Sequence, residues 1–159
     1  AGLDVAALVA HVDSGGLMKD FAGGEHDDRD AIVAVDCDLL VPAARPDVIR
    51  ADNQETVKAK LIVPGAKSGV TGEAEAVLHQ RGVLCIPDFI ANAGGVITAA
   101  VEYGGGTEGQ VFDIIDETVR SNTTETLERM KRDNVLPREA AVAMARERVA
   151  KAMNYQRFN

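Results

Sequence analysis

Three short apolar runs, each ended by a proline, most constrain the fold of this chain. They occupy residues 37–44, 60–65 and 83–86, so that a new run begins about every 23 residues. Segments with helical patterns separate them. Short apolar strands that alternate with helices are typical of a parallel sheet that is buried on both faces. We therefore predict an α/β fold with three layers, in the order helix, sheet, helix.

The helical segments around these runs set the predicted organisation of the chain. We predict helices over residues 3–12, 30–35, 52–57, 72–80, 96–103, 110–131 and 138–153. Asp52 and Thr71 are the expected N-caps of two of them, and Pro137 precedes the last. No strand pattern recurs after Asn92. The chain is thus predicted to be a single domain, with an α/β unit over residues 1–91 and a helical extension over residues 92–159.

The composition excludes several classes of function. The 159 residues carry a formal net charge of −8, whereas a nucleic-acid or anionic membrane surface needs clustered Lys and Arg. No apolar run approaches the roughly 20 residues needed to cross a bilayer, and the first residues lack the basic segment of a signal peptide. Cys37 and Cys85 each lie in an apolar run and are expected to be buried. We therefore expect a cytoplasmic protein without disulfides, and with no nucleic-acid or membrane partner.

Small residues follow the three predicted strands, and a polar segment follows the third. Because parallel strands end at one edge of a sheet, residues 42–44, 64–66 and 87–88 should meet where ligands of open α/β sheets bind. Asn92 comes next, before two glycines that permit close approach of a ligand. Its carboxamide either binds the amide of a nicotinamide ring or caps the following helix. Lys67 is either a ligand contact or a solvated lysine.

A second glycine-rich segment, residues 104–109, matches the G-x-G-x-x-G spacing of dinucleotide-binding turns. Such a turn follows a strand and precedes a helix and a second strand, whereas helical patterns surround this one on both sides. We therefore predict a flexible linker between two helices. His11, His26 and His79 have no partners at the spacing of a metal site or a catalytic triad. We predict structural roles for them, with no metal site and no catalytic residue.

Four segments together resemble the C-terminal half of the glutamate dehydrogenase family, which includes the leucine, phenylalanine and valine dehydrogenases. They are residues 37–44, 57–63, 71–75 and 87–96, and the last has the sequence PDFIANAGGV. The resemblance implies that residues 1–91 are part of a Rossmann-like nucleotide-binding unit. It also implies oxidative deamination of an L-amino acid to a 2-oxo acid and ammonia, with NAD or NADP as the hydride acceptor.

The resemblance further implies which residues bind the ligands. The residues expected to bind the cofactor are Ala43, Ala44, Lys67, Asn92, Gly94 and Gly95, with Asn92 at the nicotinamide end. Val96 and Ala99 would face the side chain of the amino-acid substrate.

Three departures from the family pattern limit these expectations. The family's glycine-rich turn and its catalytic lysine and aspartate are expected upstream of residue 1, so we expect this chain to be part of a longer dehydrogenase and inactive alone. Lys67 replaces the asparagine of a Glu-Gly-Ala-Asn segment, and its ammonium could meet a cofactor phosphate or weaken cofactor binding. Ala99 replaces a serine that receives the carboxylate of glutamate, a change typical of the leucine and phenylalanine branch. The amino-acid substrate therefore stays open.

Two other interpretations are compatible with the residues. One is a non-catalytic or regulatory binding module that kept the fold and lost the chemistry. The other is a crevice that binds a mononucleotide or nothing. If the sheet follows the usual order of the family it resembles, loss of the family's first strand exposes the edge of the first predicted strand here, which predicts self-association, strand swapping or low stability. The expected partners are the rest of the parent dehydrogenase, further copies of the same chain, and an amino acid or 2-oxo acid.

Overall fold

The computed structural model describes residues 2–25 and 27–156. The chain divides into two compact units, Ala1–Ile32 and Val33–Asn159. That residues 1–159 form one domain stays a prediction. Among the described residues, no helix has both the length and the apolar character that a membrane span requires.

The first unit contains helix α1 (Val5–Asp13) and a 3₁₀ turn. The helix begins two residues later than predicted because the Asp4 carboxylate accepts a hydrogen bond from the Ala7 N–H at 3.0 Å, which makes Asp4 the N-cap. His11 Nε2 lies 3.0 Å from the carbonyl oxygen of Leu17. This contact closes the turn after α1 and gives His11 a structural role, as predicted. His26 lies outside the described residues.

The second unit is built on a parallel sheet of three strands in the order β1-β2-β3. The strands are β1 (Leu39–Leu40), β2 (Leu61–Ile62) and β3 (Leu84–Cys85). Leu61 pairs with Leu39 on one side and with Leu84 on the other. The regular strands are shorter than predicted, but parallel hydrogen bonds continue beyond them. The Gly65 N–H, for example, donates to the carbonyl oxygen of Pro42 at 3.1 Å.

Helices cover both faces of this sheet. Side chains alternate between faces along a strand, so Ile62 points to one core and Leu61 to the other. Helix α2 (Gly72–Gln80) packs Ala74 and Leu78 into the first core. Helix α6 (Pro137–Gln156) packs Ala141 and Met144 into the second core. The predicted α/β fold with three layers is confirmed.

Three further helices lie between β3 and α6. They are α3 (Asp88–Ala91), α4 (Gly94–Tyr103) and α5 (Glu108–Asp133). Helices α4 and α5 match the predicted helices over residues 96–103 and 110–131, whereas α3 was not predicted. Residues 104–107 connect α4 to α5, and the glycine-rich segment 104–109 does not form a dinucleotide-binding turn. Gly105 adopts a φ of +79°, a conformation that favours glycine, and Thr107 forms a capping box with Gln110.

Two local predictions are wrong. Residues 52–57 do not form a helix capped by Asp52, because the Asp52 carboxylate instead pairs with the Arg50 guanidinium at 2.9 Å. A single 3₁₀ turn, Gln54–Thr56, follows with Asn53 in the N-cap position. Cys37 is only half-buried, since it lies outside the regular part of β1, whereas Cys85 on β3 is buried as predicted.

Candidate functional site

The loops that follow the three strands meet at one edge of the sheet, as predicted. The carbonyl oxygen of Pro42, after β1, accepts hydrogen bonds from the N–H groups of Gly65 and Ala66, after β2, at 3.1 and 3.0 Å. A Cβ atom placed on Gly65 would lie 2.9 Å from the Cβ of Ala43. That separation is too short for two carbons, so this close approach of the first two loops requires glycine.

Asp88 connects the third loop to the second. Its Oδ2 accepts a hydrogen bond from the Ser68 N–H at 2.9 Å, and its Oδ1 accepts one from Arg138 Nη2 at 2.7 Å. Ser68 holds a left-handed φ of +53° in this arrangement. Burial alone would raise the pKa of Asp88, but the hydrogen bonds from Ser68 and Arg138 outweigh burial and lower it. Asp88 is therefore a carboxylate at neutral pH, with both of its oxygens engaged.

Arg138 extends this contact to helix α2. Its Nε and Nη2 lie 2.6 Å from the two carboxylate oxygens of Glu75, in a bidentate pair. The guanidinium carbon also lies 5.4 Å from the centre of the Phe89 ring. Glu75 and Asp88 are 6% and 7% exposed, and two buried carboxylates are stable only when a cation compensates them. Arg138 thus fixes α6, α2 and the start of α3 relative to each other.

A cavity of about 640 Å³ opens beside this ion cluster. Its walls include the backbone of Gly65, the side chains of Lys67 and Asn92, and the apolar side chains of Phe89, Val96 and Ile97. The volume lies within the range of small-molecule sites, roughly 300–1,000 Å³. A few polar groups thus converge on a largely apolar wall, which suits a flat ring that carries an amide.

Asn92 does not cap the following helix, so that alternative is wrong. It occupies the C-terminal cap position of α3, while Ala93 precedes α4 without any side-chain cap. The Asn92 Nδ2 points to the carbonyl oxygen of Gly65 at 3.5 Å, the long end of the hydrogen-bonding range. Its Oδ1 has no hydrogen-bond partner among residues 2–25 and 27–156, and is free to accept one from a ligand.

The structure brings together some of the predicted site residues and separates others. Lys67, Asn92 and Val96 line the same cavity. Gly94 lines a different cavity of about 510 Å³, against Ile115 and Val119 of α5. The remaining predicted residues are exposed and line neither of these two cavities: Ala43, Ala44, Gly95 and Ala99.

Sequence reasoning missed the ion cluster of Glu75, Asp88 and Arg138. Asp88 was visible as the polar residue that directly follows the third strand, although its role was not. Arg138 and Glu75 are separated by 63 positions along the chain, and no local pattern links such a pair.

No catalytic group is evident in the described residues around this cavity. No three His, Cys, Asp or Glu side chains converge in a way that could hold a metal among the residues described. Burial, reinforced by the Glu75 carboxylate, raises the pKa of Cys85 to about 12, so its thiol stays protonated and is a poor nucleophile. The geometry therefore supports binding and orientation of a ligand.

The chain is similar to known proteins in sequence and in fold. A family model described as Glutamate/Leucine/Phenylalanine/Valine dehydrogenase matches residues 1–157. The NADP-specific glutamate dehydrogenase of Saccharolobus shibatae is 35% identical over 160 residues, which cover 96% of this chain. The glutamate dehydrogenase of Thermotoga maritima is 33% identical over 157 residues, which cover 95% of it. The chain spans 38% of the length of each of these two relatives.

A solved structure of a glutamate dehydrogenase has a similar fold. The hetero-hexameric glutamate dehydrogenase of Thermus thermophilus, in its leucine-bound form, superposes with a TM-score of 0.77 at 26% identity. The superposition covers 98% of this chain and 38% of that one.

Proposed function

Because the chain belongs to the glutamate/leucine/phenylalanine/valine dehydrogenase family, we propose that it is the cofactor-domain part of an amino-acid dehydrogenase. The proposed reaction is the oxidative deamination of an L-amino acid to a 2-oxo acid and ammonia. NAD or NADP, when bound, supplies the nicotinamide ring that accepts the hydride. One relative is an NADP-specific enzyme, and we leave the choice between the two cofactors to experiment.

One observation carries this proposal: the Asn92 carboxamide faces a mainly apolar cavity at the carboxyl edge of a parallel sheet. That edge is where open α/β folds bind nucleotides. Asn92 Oδ1 would accept a hydrogen bond from the nicotinamide amide, while Val96 and Ile97 would pack against the ring. The chain's own residues thereby orient the ring and exclude water from one of its faces.

The remaining predicted residues receive roles by their position along the same edge. We propose that Ala43 and Ala44, both small and exposed, leave room for the dinucleotide where β1 ends. Gly94 and Gly95 would allow close approach to the start of α4. Val96 and Ala99 would face the substrate, and the methyl group of Ala99 would favour an apolar side chain.

The test compares the 159-residue chain with the full protein encoded by the reading frame that contains it. Both are assayed with glutamate, leucine and phenylalanine, each with NAD and with NADP. We expect turnover by the full protein and none by the chain alone. Asn92→Ala in the full protein should lower kcat/KM by about tenfold or more, since one oriented hydrogen bond is lost. Absence of turnover with every pair of substrates would contradict the proposed reaction.

A matched control separates loss of a hydrogen bond from damage to the fold. Asn122 on α5 also uses its side chain in a hydrogen bond, accepting from Arg148 at 2.7 Å, and lies away from the cavity. Asn122→Ala should leave kcat/KM within about twofold of the wild type. Equal losses for both variants would indicate a general structural effect and would remove the assigned role of Asn92.

A second candidate function is a binding module without catalysis. Two observations favour it: Lys67 stands where the family pattern has a carboxamide, and Ala99 stands where it has a serine. A non-catalytic module would bind NAD(H) or NADP(H) in the full protein but would not turn over any amino acid. Fluorescence titration of the full protein with NADH and NADPH, in parallel with the turnover assay, distinguishes the two functions.

A further inference from the structure

We propose that the ammonium group of Lys67 binds an anionic oxygen group, either a carboxylate or a phosphate, on the ligand of the 640 Å³ cavity. The proposal deepens the proposed function, since it rests on that cavity being the ligand site. Lys67 gives the cavity a positive charge that can hold an anionic group of the ligand, which we call the anion anchor. The asparagine of the family pattern would not provide this charge.

Lys67 and Asp88 are the two charged residues among those that line the cavity. The Asp88 carboxylate is already held by the Ser68 N–H and by Arg138, at 2.9 and 2.7 Å. Both Asp88 oxygens therefore already have donors, and no ion pair joins Asp88 to Lys67 among the described residues.

The ammonium group of Lys67 has no partner among the other described residues. The side chain is exposed, and within the described ranges no carboxylate or carbonyl oxygen pairs with its ammonium group. The backbone on either side of it is nevertheless fixed. Ala66 N–H donates to Pro42 on one side, at 3.0 Å, and Ser68 N–H donates to Asp88 on the other. A cation without a partner is thus presented from a loop that is anchored at both ends.

Apolar side chains line the cavity together with Lys67. Phe89, Ala93, Val96 and Ile97 form the apolar part of the cavity wall. Their low polarity strengthens an ion pair relative to one in open water. With a net charge of −8, the protein repels anions in general, so binding of an anion here depends on this one lysine. Asn92 beside it adds a hydrogen-bonding group, which favours a ligand that joins an anion to an amide or a carbonyl.

Two ligands of the proposed function carry such an anion near this edge. One is the phosphate next to the nicotinamide ribose, and the other is a carboxylate of the amino acid or 2-oxo acid. Both offer the same chemistry to an ammonium group. The experiment therefore uses a probe for each source.

The full protein encoded by the reading frame that contains the chain, labelled with ¹⁵N at lysine and asparagine, is titrated with nicotinamide mononucleotide and separately with 2-oxoglutarate, and binding is followed by the NMR signals of Lys67 and Asn92. Nicotinamide riboside and dimethyl 2-oxoglutarate serve as the matching probes without the anionic groups. Lys67→Asn, which restores the residue of the family pattern, should weaken binding of at least one anionic probe by about tenfold. Loss with nicotinamide mononucleotide alone identifies the phosphate, and loss with 2-oxoglutarate alone identifies the carboxylate.

Lys58→Asn is the control, since Lys58 is also exposed but lies before β2, towards the opposite edge of the sheet. It should leave both affinities unchanged within twofold. The proposal is overturned if Lys67→Asn binds both anionic probes as the wild type does, or if neither probe shifts these signals in the wild type. If nicotinamide riboside still shifts the Asn92 side-chain signal in that case, the proposed function survives without the anion anchor. If only 2-oxoglutarate binds, and does so through Lys67, the anchor survives and the nicotinamide role of Asn92 fails.

Discussion

The carboxylate of Asp88 holds together three segments that are distant along the chain: the loop of Ser68, the start of α3, and α6 through Arg138. Its pKa is lowered in the folded protein, where hydrogen bonds outweigh burial. A lowered folded pKa means that the carboxylate stabilises the fold above the pKa of the unfolded chain, about 3.9. That contribution is lost as the pH falls through the lower, folded pKa.

Asp88→Asn should therefore lower the free energy of unfolding at pH 7 by about 1–3 kcal/mol, because a buried charge pair becomes a neutral hydrogen bond. The difference from the wild type should shrink as the pH falls from about 5 to about 3. Urea unfolding at a series of pH values measures this. Asp116→Asn, at an exposed ion pair with Arg120, should cost less than about 1 kcal/mol. A constant difference between Asp88→Asn and the wild type across this range would contradict the assignment.

The two cysteines should differ in reactivity because their surroundings differ. Burial raises the pKa of Cys85 to about 12 and also shields its sulfur from reagents. Cys37 is only half-buried. In native buffer near pH 8, iodoacetamide should label Cys37 well before Cys85, and Cys85 should become reactive only in denaturant. Mass spectrometry of the labelled peptides gives the order, and similar labelling rates in native buffer would show that Cys85 is not shielded.

At the scale of elements, the first turn of α4 contains two glycines that the packing of the chain does not require. Gly95 has no positive φ, and a Cβ placed there would meet no atom within 4 Å. Since glycine disfavours helix, Gly95→Ala should raise the free energy of unfolding by roughly 0.5–1 kcal/mol. If a ligand approaches this turn closely, the same change should weaken binding of nicotinamide mononucleotide.

Gly65→Ala, also a change from glycine to alanine, should lower the free energy of unfolding, in contrast to Gly95→Ala. Its new methyl group would lie 2.9 Å from the Cβ of Ala43, so the two loops must separate. We expect a loss of about 1–3 kcal/mol. Chemical denaturation of both variants measures the contrast. A destabilised Gly95→Ala variant would show that the first turn of α4 does need glycine for its own structure.

The parts of the fold that follow from local patterns were predictable, and the parts that depend on distant partners were not. The prolines after the three strands and the glycines after α4 act within a few residues, so the strands, their common edge and the turn to α5 could be predicted. The role of Asp52 could not be predicted, since its carboxylate can either cap a helix or pair with Arg50. The structure shows the ion pair with Arg50. Asn92 was predicted from its place after the third strand, the residues alone left Lys67 open as a ligand contact or a solvated lysine, and Val96 followed from the family resemblance. All three line one cavity. Arg138 completes the site from 50 residues beyond Asp88.

At the scale of the whole molecule, the sheet is open at β1. Within the part of the chain that the structure describes, β1 pairs only with β2, so its other side carries unpaired N–H and carbonyl groups. Leu39 is 50% exposed and Val41 is 52% exposed beside that edge. An apolar strand edge of this kind is a template for pairing with another strand. In a longer protein of this family, such a strand could come from the same chain.

The 159-residue chain should therefore self-associate in a concentration-dependent way, which light scattering coupled to size exclusion measures. Because copies with a net charge of −8 repel each other, association should increase when salt screens that repulsion. Leu39→Lys places a charge beside the open edge and should shift the chain towards monomer. Val9→Lys, at a helix position of similar exposure, 52%, should not. A stable monomer at all concentrations and salt levels would show that the edge of β1 is protected. Equal effects of Leu39→Lys and Val9→Lys would show that association depends on general surface hydrophobicity rather than on strand pairing.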